Sequence, residues 1–418
     1  MPEETYRHGI YVSEVPTSLV PMISVASPTV AIGTAPIDTL EDATKAAAPN
    51  TPVLCHTLKE FTEQFGWSDD FEKYTLCEVA YVHFQLFNVA PVVFVNVFDP
   101  TTHKTTGENP VADVTKVTAT DIIGGYDTTT GKNKGLECVE EIYPRFGLIP
   151  GTIIAPKYSS QSAVAAVLKA KCTDINGVFQ AVAVADIDTT TVKTYTAVNA
   201  AKNTDNFMAP KLFDAWPKVA LGGTQMYLST QAAALMGKVD SEHDDIPYKS
   251  PSNENLQCDQ TILADGTDIF LGKAQANYLN GIGVITALNF VGGWKLWGNR
   301  TSAYPSSTDP KDTFIPCRRM MNWVANTLVV SFWSKIDDPL NKRLVESVVD
   351  SAQIWLNGLV ARGALVGGRV AFLESENPVT DLADGIIRFH VYICPPTPAR
   401  EISFIQEMDV KYFSTLFE

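Results

Sequence analysis

The sequence predicts a multi-domain α/β protein, with an α/β core, a small β insertion and a C-terminal α/β domain flanked by extended arms. Strands alternate with helices between residues 28 and 98 and again after residue 136, which is typical of α/β architecture. The composition changes to Thr, Asp, Gly and Lys between residues 99 and 135. The last quarter combines one long amphipathic helix with two segments of alternating hydrophobicity.

The core is predicted from short apolar runs that follow helical patterns. We expect strands at 29–34, 92–98, 152–155 and 181–185, and a short strand at 218–220. The run at 92–98, Val-Val-Phe-Val-Asn-Val-Phe, indicates a strand buried on both faces. Predicted helices occupy residues 58–65, 74–88, 138–146, 162–172, 192–204 and 229–241.

A long helix is predicted between Asp338 and Gly363. Asp is favoured as a helix N-cap, and Pro339 suits the first helical position. Apolar residues then recur at spacings of three and four, which indicates one buried face. Gly is the residue that most often follows a helix end.

Two strands are predicted after this helix, from period-two alternation. In the first, Ile387, Phe389, Val391 and Ile393 alternate with polar or aromatic residues; in the second, Met408, Val410 and Tyr412 alternate with charged ones. Pro395, Pro396 and Pro398 separate the two strands. A strand at the end of a chain must pair either within its own subunit or with another chain by strand addition.

Charge and hydropathy exclude several classes of protein. The 418 residues are 45% hydrophobic and carry a formal net charge of −15, which argues against binding nucleic acid or an anionic membrane directly. The start, Met-Pro-Glu-Glu, has no signal-peptide pattern, so we expect synthesis in the cytosol. Residues from 300 onward hold 12 Lys and Arg against 14 Asp and Glu, while the first 299 residues hold 20 against 33. This nearly neutral last part suits either an interaction layer or a merely uneven surface.

No catalytic, cofactor or metal motif emerges. The seven cysteines are scattered without a CxxC pair, which favours buried thiols over disulfides or a zinc site. Residues 241–245, Ser-Glu-His-Asp-Asp, superficially resemble a metal cluster, but we expect a solvated loop. Residues 281–283 lack the third glycine of a dinucleotide fingerprint, and residues 130–133 lack the spacing of a phosphate loop. We therefore expect a structural protein without cofactors rather than an enzyme.

Several segments, in their shared order, resemble the tail sheath proteins of contractile phage tails and R-type bacteriocins. They are residues 6–14 (Tyr-Arg-His-Gly-Ile-Tyr-Val-Ser-Glu), 248–253 (Tyr-Lys-Ser-Pro-Ser-Asn), 297–301 (Trp-Gly-Asn-Arg-Thr), 318–319 (Arg-Arg), 363–368 (Gly-Ala-Leu-Val-Gly-Gly) and the final strand, Pro-rich and strand arrangement. Residues 99–135 match least.

The resemblance implies a division of the chain and a mode of assembly. An N-terminal arm (1–20), a discontinuous core (21–98 and 136–299), the insertion (99–135), a C-terminal polymerisation domain (300–401) and a C-terminal arm (402–418) are expected. Arms of neighbouring subunits would add strands to a third subunit's sheet at 386–394. The residues implied in this exchange are Tyr6, Gly9, Ile10, Tyr11, Val12, Ile387, Phe389, Val391, Ile405, Met408, Val410 and Tyr412.

The resemblance also implies a function. The subunit would form hexameric rings stacked into a helical sheath around an inner tail tube protein, and would contact baseplate and tail terminator proteins. Contraction would drive the tube through the target cell envelope during genome ejection or bacteriocin action. The sheath would belong to the virion tail, or to a phage-tail-like particle, assembled in the host bacterial cytoplasm. Lys335, Lys342 and Arg343, which flank the long helix, are candidate tube contacts.

Alternatives remain open from the sequence. A tube or capsid-like shell protein would also lack catalytic motifs, but it would not explain strand-forming segments at both chain ends. A cytosolic α/β enzyme with a β insertion would remain monomeric and bind a small molecule. Phage sheaths and sheaths of other contractile injection systems share the same mechanics, so the sequence does not separate them.

Overall fold

A computed structural model describes residues 20–23, 27–40, 42 and 44–417. These fall into two compact units. The larger contains the described residues up to Asn326, except 20–23, together with those from Pro395 onward. The smaller contains residues 20–23 and Thr327–Cys394. The division thus lies after residue 326, whereas the resemblance implies a domain that begins at residue 300. The segment from Pro395 onward is grouped with the larger unit.

Fifteen strands and twelve α-helices lie within the described residues. The strands are β1 (Thr29–Gly33), β2 (Val53–Cys55), β3 (Val92–Asn96), β4 (Gly125–Asp127), β5 (Lys132–Lys134), β6 (Thr152–Ile154), β7 (Val182–Asp186), β8 (Leu212–Ala215), β9 (Lys218–Leu221), β10 (Thr224–Met226), β11 (Gln260–Ile262), β12 (Val284–Phe290), β13 (Gly293–Trp297), β14 (Gly367–Ala371) and β15 (His390–Cys394). The helices are α1 (Leu58–Phe65), α2 (Thr75–Ala80), α3 (Ala119–Ile123), α4 (Ile142–Phe146), α5 (Ser162–Lys171), α6 (Val198–Thr204), α7 (Leu228–Ser241), α8 (Lys273–Gly281), α9 (Pro310–Thr313), α10 (Ile315–Phe332), α11 (Lys342–Ala361) and α12 (Val379–Ala383).

The larger unit is built on an eight-stranded sheet in the order β13-β12-β8-β7-β6-β1-β3-β2. Its six inner strands are parallel, and β2 and β13 are antiparallel at the two edges. Each residue of β1, β3 and β7 is buried. A parallel sheet covered on both faces requires such continuous apolar strands, which is why the apolar runs predict them correctly.

Helix α1 coincides with the predicted helix at 58–65 because its start is encoded locally. The Thr57 hydroxyl accepts a hydrogen bond from the Glu60 N–H, and the Glu60 carboxylate accepts one from the His56 N–H. Phe61 and Phe65 form its buried face. The predicted helix at 74–88 divides into α2 and a π-helical segment, Tyr81–Phe87.

The segment 99–135 is less regular than the predicted β insertion. It contains the short hairpin β4–β5, the helix α3 and a 3-10 turn at Val114–Lys116. Asp113 caps that turn by accepting hydrogen bonds from the Thr115 N–H and hydroxyl. Such local side-chain bonds compete with a strand ladder.

Helix α10 is the largest element that the sequence reasoning missed. Within the larger unit, Arg319 forms a buried bidentate ion pair with Asp240 of α7, with Nη1 3.0 Å from Oδ1. The Asn322 amide donates to the Ala181 carbonyl, and the Asn326 amide exchanges two hydrogen bonds with the Gln180 backbone. These polar residues interrupt the apolar periodicity that marks a helix, although tertiary partners satisfy each of them.

The described residues bear on the cysteines, on metal binding and on membrane-spanning helices. Six cysteines are buried, in keeping with the sequence, but Cys394 is exposed. No group of three or more His, Cys, Asp or Glu side chains within the described ranges is arranged to hold a metal ion. No helix among them is long and apolar enough to cross a membrane.

Candidate functional site: a sheet edge and an exposed C-terminal segment

Helix α11 is the scaffold of the smaller unit, and it begins later than the sequence predicts. Its N-cap is Asn341, whose side chain accepts a hydrogen bond from the Leu344 N–H at 3.0 Å. Asp338 instead forms an ion pair with Lys335. Asn caps a helix as well as Asp does, so the sequence signal at Asp338-Pro339 has an equal competitor three residues later.

The end of α11 matches the prediction at Gly363. This glycine has φ +77°, which L side chains rarely adopt. Its N–H donates to the Val360 carbonyl, and the Ala364 N–H donates to the Leu359 carbonyl. These two bonds form a Schellman motif, which ends the helix and turns the chain toward β14.

Strands β14 and β15 form a two-stranded antiparallel sheet that packs against α11. Gly368 faces Leu356, and a Cβ atom at Gly368 would lie 3.3 Å from the Leu356 side chain. The guanidinium of Arg369 lies 3.7 Å from the ring centroid of Tyr392, its partner across the sheet. His390 stacks on Tyr392 and contacts Glu376 at 2.7 Å. A two-stranded sheet is marginally stable alone, and its outer edges offer places for further strands.

Of the three predicted acceptor residues, only Val391 lies in a strand. Ile387 and Phe389 precede β15, so the prediction that they are strand residues is wrong for this single chain. The physical reason is that the Asn377 side chain takes the place of a neighbouring strand here. Its Nδ2 donates to the Arg388 carbonyl, and its Oδ1 accepts from the Arg388 N–H. The Phe389 ring packs 5.9 Å from the ring of Phe372.

The C-terminal segment is not a strand either, which contradicts the prediction for Ile405, Met408, Val410 and Tyr412. Residues 395–409 have no regular secondary structure, and a 3-10 helix occupies Val410–Phe417. The apolar side chains point into solvent: Ile405 is 97% exposed and Phe404 is 87% exposed. An isolated alternating segment has no ladder partner, so its backbone takes local hydrogen bonds instead.

The beginning of this segment is fixed on the larger unit. Pro398, Ala399, Arg400, Glu401 and Ile402 border a groove of about 640 Å³. Two of the segments that resemble sheath motifs, 248–253 and 297–301, meet in the same groove. The Ser252 hydroxyl accepts from the Gly298 N–H, and the Asn253 N–H donates to the Leu296 carbonyl. The start of the segment therefore has a defined place on the larger unit, and exposed apolar residues follow it.

The three candidate tube contacts lie near the start of α11. Lys335 pairs with Asp338 at 3.1 Å, and Lys342 pairs with Glu346 at 3.5 Å. Lys342 and Arg343 are exposed and occupy the first turn of the helix. Cations at a helix N-terminus are disfavoured by the helix dipole, so helix stability does not explain their position. The N-terminal candidates, Tyr6, Gly9, Ile10, Tyr11 and Val12, lie outside the described residues.

A cavity of about 770 Å³ lies at the carboxyl ends of the parallel strands, where α/β enzymes bind ligands. Glu78 accepts a hydrogen bond from the Tyr227 N–H, and Asp186 accepts two from Ser229. Lys218 contacts Glu72 at 3.2 Å. Burial raises the pKa of Glu78 to about 8 and that of Asp186 to about 6. Each of these two buried carboxyls thus has a hydrogen-bond donor within the fold.

Comparison with known proteins shows which proteins this chain is similar to. No family model matches the chain. It is 28% identical over 323 residues to the tail sheath protein of Burkholderia phage BcepMu, a match covering 73% of this chain and 65% of that protein's length. It is 25% identical over 381 residues to a putative prophage major tail sheath protein of Pseudomonas aeruginosa strain UCBPP-PA14, covering 89% of each.

The fold agrees with these relatives. The sheath of an extracellular contractile injection system, PVC, in its contracted state superposes with a TM-score of 0.66 at 17% identity, covering 98% of this chain and 99% of that one. The chain therefore has the fold of a contractile sheath subunit, a class of structural protein. The resemblance to the contractile tail sheath family is confirmed by the sequence relatives, which are structural tail proteins and not enzymes.

Proposed function

We propose that this protein is the structural subunit of a contractile tail sheath, polymerising around an inner tail tube by exchange of β-strands between subunits. The observation that carries the proposal is the exposed apolar C-terminal segment, found in the same chain as a two-stranded sheet with an outer edge. Each feature lacks what the other supplies. The segment has alternating apolar side chains but no strand hydrogen-bonded beside it. The two-stranded sheet has an outer edge to which another strand could be added.

Strand addition suits a polymer that must change shape. Backbone hydrogen bonds do not require one particular set of side chains, so subunit bodies could rotate while the added strands remain paired. The Pro-rich stretch from Pro395 to Pro398 would act as a hinge before the residues that border the groove, and the added strand would follow those residues. Burial of Phe404, Ile405 and Met408 against a neighbour would contribute the hydrophobic part of the association free energy.

Contraction would release free energy stored in the extended polymer. The extended sheath would be metastable and held by contacts to the tube protein, and the contracted form would bury more surface between subunits. Lys335, Lys342 and Arg343 are proposed as the tube contacts, because ion pairs at a solvated surface are weak and break readily. Hexameric rings, baseplate and terminator contacts, and assembly in a bacterial cytoplasm complete the proposal, and the sheath would belong to a phage tail or a phage-tail-like particle.

Electron microscopy of the purified protein tests the proposal directly. Full-length protein at high concentration, with tube protein supplied, should form hollow striated cylinders. A variant lacking residues 404–418 should stay folded but fail to polymerise, because it lacks the donor strand. Thr415→Ala is the control, since it keeps the segment intact. Small monomeric particles from the full-length protein would contradict the sheath function, and normal cylinders from the truncated variant would contradict the strand exchange alone.

A further inference from the structure

The two outer edges of the β14–β15 sheet differ in hydrogen bonding. Gln353 of α11 lies against β14, where its Nε2 donates to the Gly368 carbonyl at 3.2 Å and its Oε1 accepts from the Val370 N–H at 3.0 Å. A residue of a parallel neighbouring strand would use this same pair of backbone groups, two positions apart. Nε2 also donates to Asn357 Oδ1 at 2.9 Å, which holds the amide in place.

The regular alternation of a β-strand then determines the direction of the backbone groups of the remaining residues in β14 and β15. The N–H and carbonyl of one residue share a side, and that side changes at the next residue. Because Gly368 and Val370 point to Gln353, Arg369 points to its register partner Tyr392. The backbone groups of Val391 and Ile393 therefore point away from β14, to the outer edge of β15.

The flanking contacts agree with this assignment. The Val366 N–H donates to the Cys394 carbonyl, which places even-numbered residues of β15 on the side of β14. The Asn377 Nδ2 donates to the carbonyls of both Leu373 and Arg388. These two residues would be the next hydrogen-bonded pair if the register of β14 and β15 continued, so Asn377 bridges them. Among the described residues, no group hydrogen-bonds the backbone of Val391 or Ile393 at the outer edge.

We infer that β15 is the receiving edge of the sheet and that Gln353 closes the β14 edge, so that a partner strand adds beside Val391 and Ile393. This inference rests on the proposed function and specifies its geometry. The occupant is the C-terminal segment of a second copy, because its exposed Ile402, Phe404, Met408 and Val410 all lie on one face of an extended strand. Any further strand then adds outside the first one and not beside β14.

Amide hydrogen exchange on the full-length protein, resolved at single residues, separates the two edges. On polymerisation, the amides of Val391 and Ile393 should slow at least about tenfold as they gain strand partners, while Val370, already bonded to Gln353, should stay unchanged. In the unassembled subunit, Gln353→Leu should accelerate the Val370 amide by about fivefold, since one hydrogen bond is lost. Asp350→Leu, at an exposed position of the same helix, is the control and should leave Val370 protected.

The occupant is tested with synthetic peptides added to the variant lacking residues 404–418. A peptide of residues 401–413 should protect Val391 and Ile393. Protection by a peptide of residues 1–16 instead would overturn the assignment of the C-terminal segment as occupant, and no protection by either would overturn the receiving role of β15.

The failures of the inference and of the proposed function are distinguishable. Slowing at Val370 and not at Val391 and Ile393 would overturn the assignment of the edges while leaving strand addition intact. Cylinders that form without a change at any of the three amides would overturn strand addition itself. If no polymer forms, the proposed function fails, and an unchanged Val370 amide in Gln353→Leu would still refute the closing role of Gln353.

Discussion

At the scale of single residues, a buried carboxyl group makes the stability of the larger unit depend on pH. Glu78 is 1% exposed, and its carboxyl accepts the Tyr227 N–H at 2.8 Å. Burial disfavours the charged form and raises its pKa to about 8, against partial compensation from Lys218. The folded state thus holds a proton on Glu78 at pH values where the unfolded chain releases it.

This proton makes stability depend on pH. Between about pH 4.5, the ordinary pKa, and about pH 8, the folded state binds more protons than the unfolded state, so the free energy of unfolding falls as pH rises. Glu78→Gln keeps the carbonyl acceptor for Tyr227 and should flatten this fall, by at most about 1.4 kcal/mol per pH unit. Urea unfolding at pH 5, 6.5 and 8 measures the effect.

Exposed Glu63 of α1 provides the control for this measurement. Glu63→Gln should leave the pH dependence of unfolding as in the unchanged protein, because its carboxyl remains in water in both states. Parallel pH profiles for Glu78→Gln and the unchanged protein would show that Glu78 is not protonated in the fold.

At the scale of elements, the C-terminal segment has one conformation in the isolated chain and another in the proposed polymer. Val410 begins a 3-10 helix and is 64% exposed, so its side chain has little packing to lose. A strand added to a neighbour would instead place its N–H in a ladder. The same residue therefore tests the polymer without disturbing the subunit.

Val410→Pro should prevent polymerisation, because proline removes a ladder donor and is poorly tolerated within a sheet. Proline is tolerated in the first turn of a helix, so the thermal unfolding midpoint of the subunit should not change. Val410→Thr keeps both the N–H and the β-branched shape and should polymerise normally. Sedimentation and electron microscopy report polymer formation, and cylinders formed by Val410→Pro would exclude this part of the segment from the added strand.

At the scale of the whole molecule, charge is distributed unequally along a chain of net charge −15. The part from residue 300 onward has nearly equal numbers of acidic and basic residues. Lys342 and Arg343 add two exposed cations at the start of α11, where the helix dipole opposes them. A complementary, acidic surface on a tube protein would account for both.

Lys342→Glu combined with Arg343→Glu should weaken binding to purified tube protein by at least about tenfold at low salt, while the subunit remains as stable because acidic residues suit a helix N-terminus. Binding of the unchanged protein should weaken as salt rises, since exposed charges are screened. Lys59→Glu is the control, an exposed lysine on α1 of the other unit. Equal binding by the double variant and the control would remove these residues from the tube interface.

Local signals explain the parts of the fold that the sequence predicted well. Helix α1 has its own cap at Thr57, α11 has its own stop at Gly363, and β3 is apolar because both of its faces are covered. Each is determined by neighbours within a few residues or by one dominant burial requirement. The family resemblance rests on the order of such segments and is confirmed by relatives aligned over as much as 89% of the chain.

Other features depended on partners distant in the sequence. Helix α10 carries Arg319 and Asn322, whose polar side chains are acceptable only because Asp240 and the Ala181 carbonyl lie opposite them. The start of α11 is a different case, because Asp338 and Asn341 are two equivalent caps close together in the sequence and the structure uses Asn341. The periodicity of apolar residues in the sequence predicts neither helix α10 nor the start of α11.

The sequence by itself determined the α/β class, the helix α11 with its glycine stop, the absence of a recognisable catalytic motif and the family resemblance. Only the tertiary structure decided which alternating segments become strands. Alternation gives a segment two different faces, but a strand also needs a neighbour for its backbone N–H and carbonyl groups. Strand β15 has β14 as that neighbour, whereas Met408 has none among the described residues, and so the two similar patterns fold differently.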